Sequence, residues 1–139
     1  MSTWILYALL SAASAAGVAI FGKIGLKGVD ATLATTVRSL VMAGFLVAVS
    51  GGLGKWSGIA ALESRTLSFI ALSGVAGALS WLFYFFALKN GPVAGVAAVD
   101  RLSVVFVVVL AAIFLAEKLT WKTILGSLLI TGGALLMTL

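Results

Sequence analysis

Five long apolar runs, at about residues 4–22, 31–50, 67–88, 93–116 and 123–139, alternate with short polar breaks along the chain. A bilayer's hydrocarbon core of roughly 30 Å takes about 20 residues of helix, so each run is long enough to cross it, allowing for tilt. Backbone polar groups find no water there, and helices satisfy them internally. The pattern predicts an all-α protein, an integral membrane bundle of five transmembrane helices forming one domain over residues 1–139. The only proline follows Gly91 in the Lys89-Asn90-Gly91-Pro92 break, which reads as a helix stop and a helix start. Leu9–Gly17, LLSAASAAG, has the small residues of a signal-peptidase site. No basic segment precedes it and the apolar run continues to Phe21, so the first run is expected to stay as a span.

Composition agrees with a membrane protein. The 139 residues are 63% hydrophobic and 9% charged, against roughly 45–50% and 25% in soluble domains. Cysteine and histidine are absent, which excludes disulfides, thiolate nucleophiles, imidazole bases and the usual zinc sites. No cofactor or metal is expected. A lone intramembrane aspartate also lacks the second acid or activated nucleophile that hydrolysis uses, so an enzyme is not expected. The net charge of +5 comes from basic residues scattered at the ends of apolar runs, suited to lipid headgroups and not to nucleic acid. Trp4, Tyr7, Trp56 and Trp121 sit near span ends and read as interfacial anchors. Small residues recur at Ala8, Ala12 and Ala16, at Gly74 and Ala78, and at Gly126 and Gly133; such stripes let membrane helices approach closely. Glu117, beside Lys118 and near Lys122, reads as an interfacial pair or cap.

Charge also bears on orientation. With the N-terminal face called side one, Lys55, Arg65, Lys118 and Lys122 fall on side one and Lys23, Lys27 and Lys89 on side two. Loop lysines and arginines orient membrane proteins by their asymmetry, and four against three is almost none. The balance suits a chain that inserts both ways up and pairs with an inverted copy of itself, as inverted repeats do within many transporters.

Candidate chemistry lies inside the spans. Arg38 is the eighth residue of the second run and Asp100 the eighth of the fourth, and both runs start on side two. At ~1.5 Å per residue both lie roughly 10–12 Å below that face. The third run travels the other way and brings Trp81, Phe83, Tyr84, Phe85 and Phe86 to the same half. Ionised groups are costly in hydrocarbon and usually face a bundle interior or a wet cavity. Asp100 and Arg101 are neighbours, about 100° apart on a helix. The expected partner of Asp100 is therefore Arg38 in a forked pair, with Arg101 left to a cavity, another helix or the interface. A fixed structural ion pair and a functional site are both open readings. If functional, Asp100 exchanges a proton or cation, or Arg38 and Arg101 hold an anion against aromatics. Five aromatics in six positions cannot all face inward, and Trp81 and Tyr84, with polar handles, are the expected cavity residues.

Lys23-Ile24-Gly25-Leu26, Asp30, Ala34-Thr35-Thr36-Val37-Arg38, SGVAGALSWLFYFFALKNGP, VDRLSVVFVVVLAAIFLAEKLT and the closing ILGSLLITGGALLM resemble, in that order, the EamA domain of the drug/metabolite transporter superfamily in its short single-domain form. The most telling pieces are the Ala-Leu-x-x-Gly-Pro turn, the Asp-Arg-Leu-Ser entry to the fourth span and the Ala-Glu-Lys-Leu-Thr exit. The resemblance implies half of a ten-helix transporter, completed by a second copy or a second EamA-type chain. The superfamily's four-helix multidrug exporters carry an essential acid in the first helix, and the first run here has none, so their proton mechanism does not transfer simply. The expected function is secondary-active export of a small metabolite or drug-like molecule by alternating access, from an integral, multi-pass position in the plasma (inner) membrane of a prokaryote. The alternatives are a lipid-linked substrate flippase subunit and a non-transporting membrane partner subunit.

Overall fold

The computed structural model describes residues 2–139. Among them the order is α1 (Thr3–Gly25), α2 (Ala31–Gly52), a 3₁₀ segment (Lys55–Ala61), α3 (Ser64–Asn90), α4 (Val93–Asp100), α5 (Ser103–Phe114) and α6 (Trp121–Leu136). Every apolar run is helical, and the fold is an all-α, five-span membrane architecture. The first two helices and α3 reach the length of a span singly; α4 and α5 do so together, over Val93–Phe114. At 16 residues α6 is shorter, about 24 Å at ~1.5 Å per residue. The fourth run was expected as one helix over 93–116; it is instead broken at Arg101 and Leu102 and ends at Phe114.

Two compact units make up the chain. One joins residues up to Lys23 with Asn90–Leu139; the other is Ile24–Lys89.

In the first unit, α6 packs on α4 and α5. The contact with α4 depends on Gly95, which is buried. A Cβ there would stand 3.3 Å from Pro92 Cγ and 3.7 Å from Thr138 Cγ2. Small residues make the other buried points of this unit: Ala19 on α1, Ala98 on α4 and Ala134 on α6. Thr120 caps α6 by accepting the Thr123 N–H at 3.2 Å. Along α6 the hydroxyls of Ser127 and Thr131 donate to the carbonyls one turn back, at 2.9 Å each, so these polar side chains are satisfied without leaving the helix. Lys23, in the last turn of α1, donates from Nζ to the Gly91 carbonyl at 2.9 Å, which ties the end of one span to the turn that starts another.

The second unit begins with a turn whose Gly28 takes φ 72°, a conformation that favours glycine. Asp30 then caps α2 by accepting the Leu33 N–H at 3.0 Å. Its carboxyl is held below the ordinary value of 3.8 chiefly by that bond, assisted by the Thr32 N–H and by the charge of Lys89, while desolvation pushes the other way. Ala31 and Thr35 on α2, and Phe85 and Leu88 on α3, are buried. Thr35 donates its hydroxyl to the Ala31 carbonyl at 2.8 Å.

Most large apolar side chains face outward. Only Ala19 is buried on α1, and no residue is buried on α5. Outward-facing leucine, valine and phenylalanine are stable against lipid, where helix packing relies on small residues.

Candidate intramembrane site

Within the second unit, helical periodicity gathers a face on each of two helices. On α3, Trp81, Tyr84, Phe85 and Leu88 are buried or half-buried, while Phe83 is 67% and Phe86 40% exposed. Spacings of three and four place side chains on one stripe, which explains the sorting. Trp81 meets the Tyr84 ring edge-on at 5.5 Å and Phe85 at 6.3 Å between centroids. On α2 the corresponding stripe is Ala31, Ala34, Thr35 and Arg38.

The two stripes meet at Arg38. Its guanidinium carbon lies 3.7 Å from the centroid of the Trp81 ring and 5.7 Å from that of Phe85. A guanidinium over an indole face is attracted by the ring quadrupole, the more so where water is excluded. A ring contact of this kind supplies no oxygen acceptor to the guanidinium's N–H donors. Nη1 is buried and has no hydrogen-bond partner among the described residues.

Asp100 and Arg101 belong to the first unit and sit at the break between α4 and α5. Backbone N–H groups of Arg101, Leu102, Val104 and Val105 bond to carbonyls three residues back, at 2.9–3.1 Å, which is the tighter 3₁₀ spacing. Arg101 Nη2 lies 3.7 Å from Asp100 Oδ2, with 55% and 36% of their side chains exposed. Neighbouring residues were expected to point apart. They pair because the regular helix stops at Asp100 and the long arginine side chain turns back at the break. Arg38 and Asp100, expected as a pair, belong to different units.

Phe85 was not among the expected site residues, though its spacing of four from Trp81 was the available signal. The helix break was missed as well; two adjacent charges in an apolar run were its trace. Among the described residues no three acidic, histidine or cysteine side chains come together.

A family model described as EamA-like transporter matches residues 2–139. The chain belongs to the EamA-like transporter family. It is 42% identical over 135 residues, 97% of its own length and 96% of the relative's, to a Sinorhizobium protein named "Uncharacterized transporter in cobO 3'region". No solved structure matches the chain. Family and helices together make it an integral, multi-pass membrane protein, and the EamA domain covers every residue that the site uses.

Proposed function

We propose that this EamA-family chain is a secondary-active transporter that exports a small metabolite or drug-like molecule by alternating access, as an inverted homodimer in the inner membrane of a prokaryote. The observation that carries the reading is the stack of Arg38 on Trp81 at 3.7 Å. Arg38 is the eighth residue of a membrane span, and a charge at that depth is costly enough to mark a substrate or ion pathway.

Two features support the dimer and the cycle. The loop charges are nearly balanced, which favours insertion in both orientations. Two inverted copies would give the arrangement in which one half rocks against the other around a site near the midplane. The 3₁₀ break at Arg101 and Leu102 gives the fourth span a place to bend, since such stretches often serve as hinges. In this reading Arg38, Trp81, Tyr84 and Phe85 line the binding surface. Asp100, loosely paired with Arg101 and partly exposed, is the coupling group.

Purified protein in liposomes with an imposed pH gradient tests the transport. Pooled small metabolites should show gradient-driven flux that Asp100→Asn uncouples, while no flux for wild type in any pool would refute it. C-terminal reporters active in opposite compartments should both give signal. Activity on one side alone would remove the inverted homodimer.

A further inference from the structure

We infer that the binding element of this site is a receptor for a small organic monoanion, in which Arg38 grips a carboxylate while the apolar part of the molecule lies against Trp81 and Phe85. Calling that anion the cargo rests on the transport reading; the binding step stands on its own geometry.

The cations near the side-two half of the spans differ in what holds them. Lys23 is engaged by the Gly91 carbonyl, and Arg101 is neutralised by Asp100. Within its own unit Arg38 makes no hydrogen bond or ion pair among the described residues, and what it meets is two aromatic rings. Ring stacking compensates charge through the face of the guanidinium, but the group's five N–H donors lie in its plane. Unused donors inside a membrane are expensive. The missing partner is an acceptor that carries negative charge and presents two oxygens in one plane, because that shape matches the guanidinium fork. One arginine supplies one positive charge, which balances a carboxylate and leaves a dianionic phosphate half-compensated in low dielectric. Tyr84 and Phe85 hold the indole edge-on, so the platform is in place before an anion arrives, and the rest of the ligand meets ring surface.

The test uses the full chain in a maltoside detergent with Trp4, Trp56 and Trp121 replaced by Phe, so that Trp81 alone reports, and this single-tryptophan protein is the parent for every variant. Benzoate, benzamide and benzylamine are titrated at constant ionic strength, with fluorescence and thermal unfolding read together. Benzoate should change Trp81 emission and raise Tm, and benzamide should bind at least about tenfold more weakly, as expected for losing a charge-assisted pair. Arg38→Gln should abolish the benzoate response. Arg38→Lys, which keeps the charge and loses the fork, should weaken it by about tenfold. Equal binding of benzoate and benzamide in this parent would overturn the inference without reference to any variant. So would a benzoate response unchanged in Arg38→Gln. A response seen only in Asp100→Asn would overturn it too, by showing that the chain's own carboxylate fills the fork. Phosphatidylglycerol added to the detergent separates the two sources of a monoanion: an Arg38-dependent signal that benzoate fails to displace assigns the fork to a lipid headgroup and overturns the inference. Flux of labelled benzoate into liposomes separates this from the transport reading. Binding without movement defeats transport and leaves the receptor standing; movement of benzoate and benzamide alike defeats the receptor and leaves transport standing.

Discussion

Replacing Arg38 by methionine should leave the fold as stable as wild type or slightly more so. Arg38 is the eighth residue of α2, seven steps from its start and about 10.5 Å along the axis at ~1.5 Å per residue. An arginine at the centre of a span costs roughly 2.5–3.5 kcal/mol on insertion scales, and less toward the interface. Against this stands the stack on Trp81 at 3.7 Å, about 2 kcal/mol when desolvated. The two nearly cancel, with the balance against the charge by up to about 1 kcal/mol. Methionine keeps the length and packs against the same rings through its sulfur. Reversible unfolding in mixed micelles, followed by far-ultraviolet circular dichroism, gives the difference directly. A cycle with Trp81→Ala should show a coupling of about 1–2 kcal/mol between the two residues. If Arg38 were instead half of a buried structural ion pair, removing it would strand a charge and cost about 3–5 kcal/mol. A loss of that size in Arg38→Met would refute the reasoning and make the arginine a structural element.

Three further outcomes follow from local geometry. Ala116 takes φ 53°, where it lets the Glu117 N–H turn back on the Ala111 carbonyl at 3.2 Å; Ala116→Gly should stabilise by roughly 0.5–1 kcal/mol in the same unfolding assay. Gly95→Leu should destabilise by about 1–3 kcal/mol through overpacking, since even a Cβ stands 3.3 Å from the Pro92 ring, and a neutral result would mean that α4 and α6 are not held together there. Asp30 has a depressed pKa in the fold, so its contribution is present above its unfolded value of about 3.9 and is lost as pH falls through the lower folded value. Asp30→Asn, which still caps a helix, should remove that acid-side decline and leave the rest of the pH profile unchanged.

Hydrophobic length alone made the spans legible, because lipid allows the backbone few other states. Their ends were less so. The first helix runs past Lys23 to Gly25 and the third begins at Ser64, since polar residues at the interface extend a helix that hydropathy would stop. The inward face of α3 was half legible. Polar handles pointed to Trp81 and Tyr84, but helical spacing, which adds Phe85 and turns Phe83 and Phe86 outward, was the better guide. The pairing of charges was the least legible part, because depth bookkeeping treats every span as one straight helix. It puts Arg38 and Asp100 in a common layer and says nothing of what a local change in winding does to the two residues beside it.

That change in winding has an electrostatic logic. A continuous helix through residues 93–114 would hold Asp100 and Arg101 in its interior, on different faces and far from either end. Breaking it there creates a carbonyl end for α4 and an N–H end for α5 within one turn of both residues. Cations are favoured near the first kind of end, so Arg101, which follows the last residue of α4, gains a favourable dipole, while Asp100 is compensated by Arg101 at 3.7 Å. The chain thus loses a few α-type backbone bonds, replaces them with 3₁₀ bonds, and in exchange stabilises two charges in the middle of its most apolar run. Such compensation depends on the local winding. Straightening the span would return Asp100 and Arg101 to positions about 100° apart on one helix, so their pairing depends on the winding at the break.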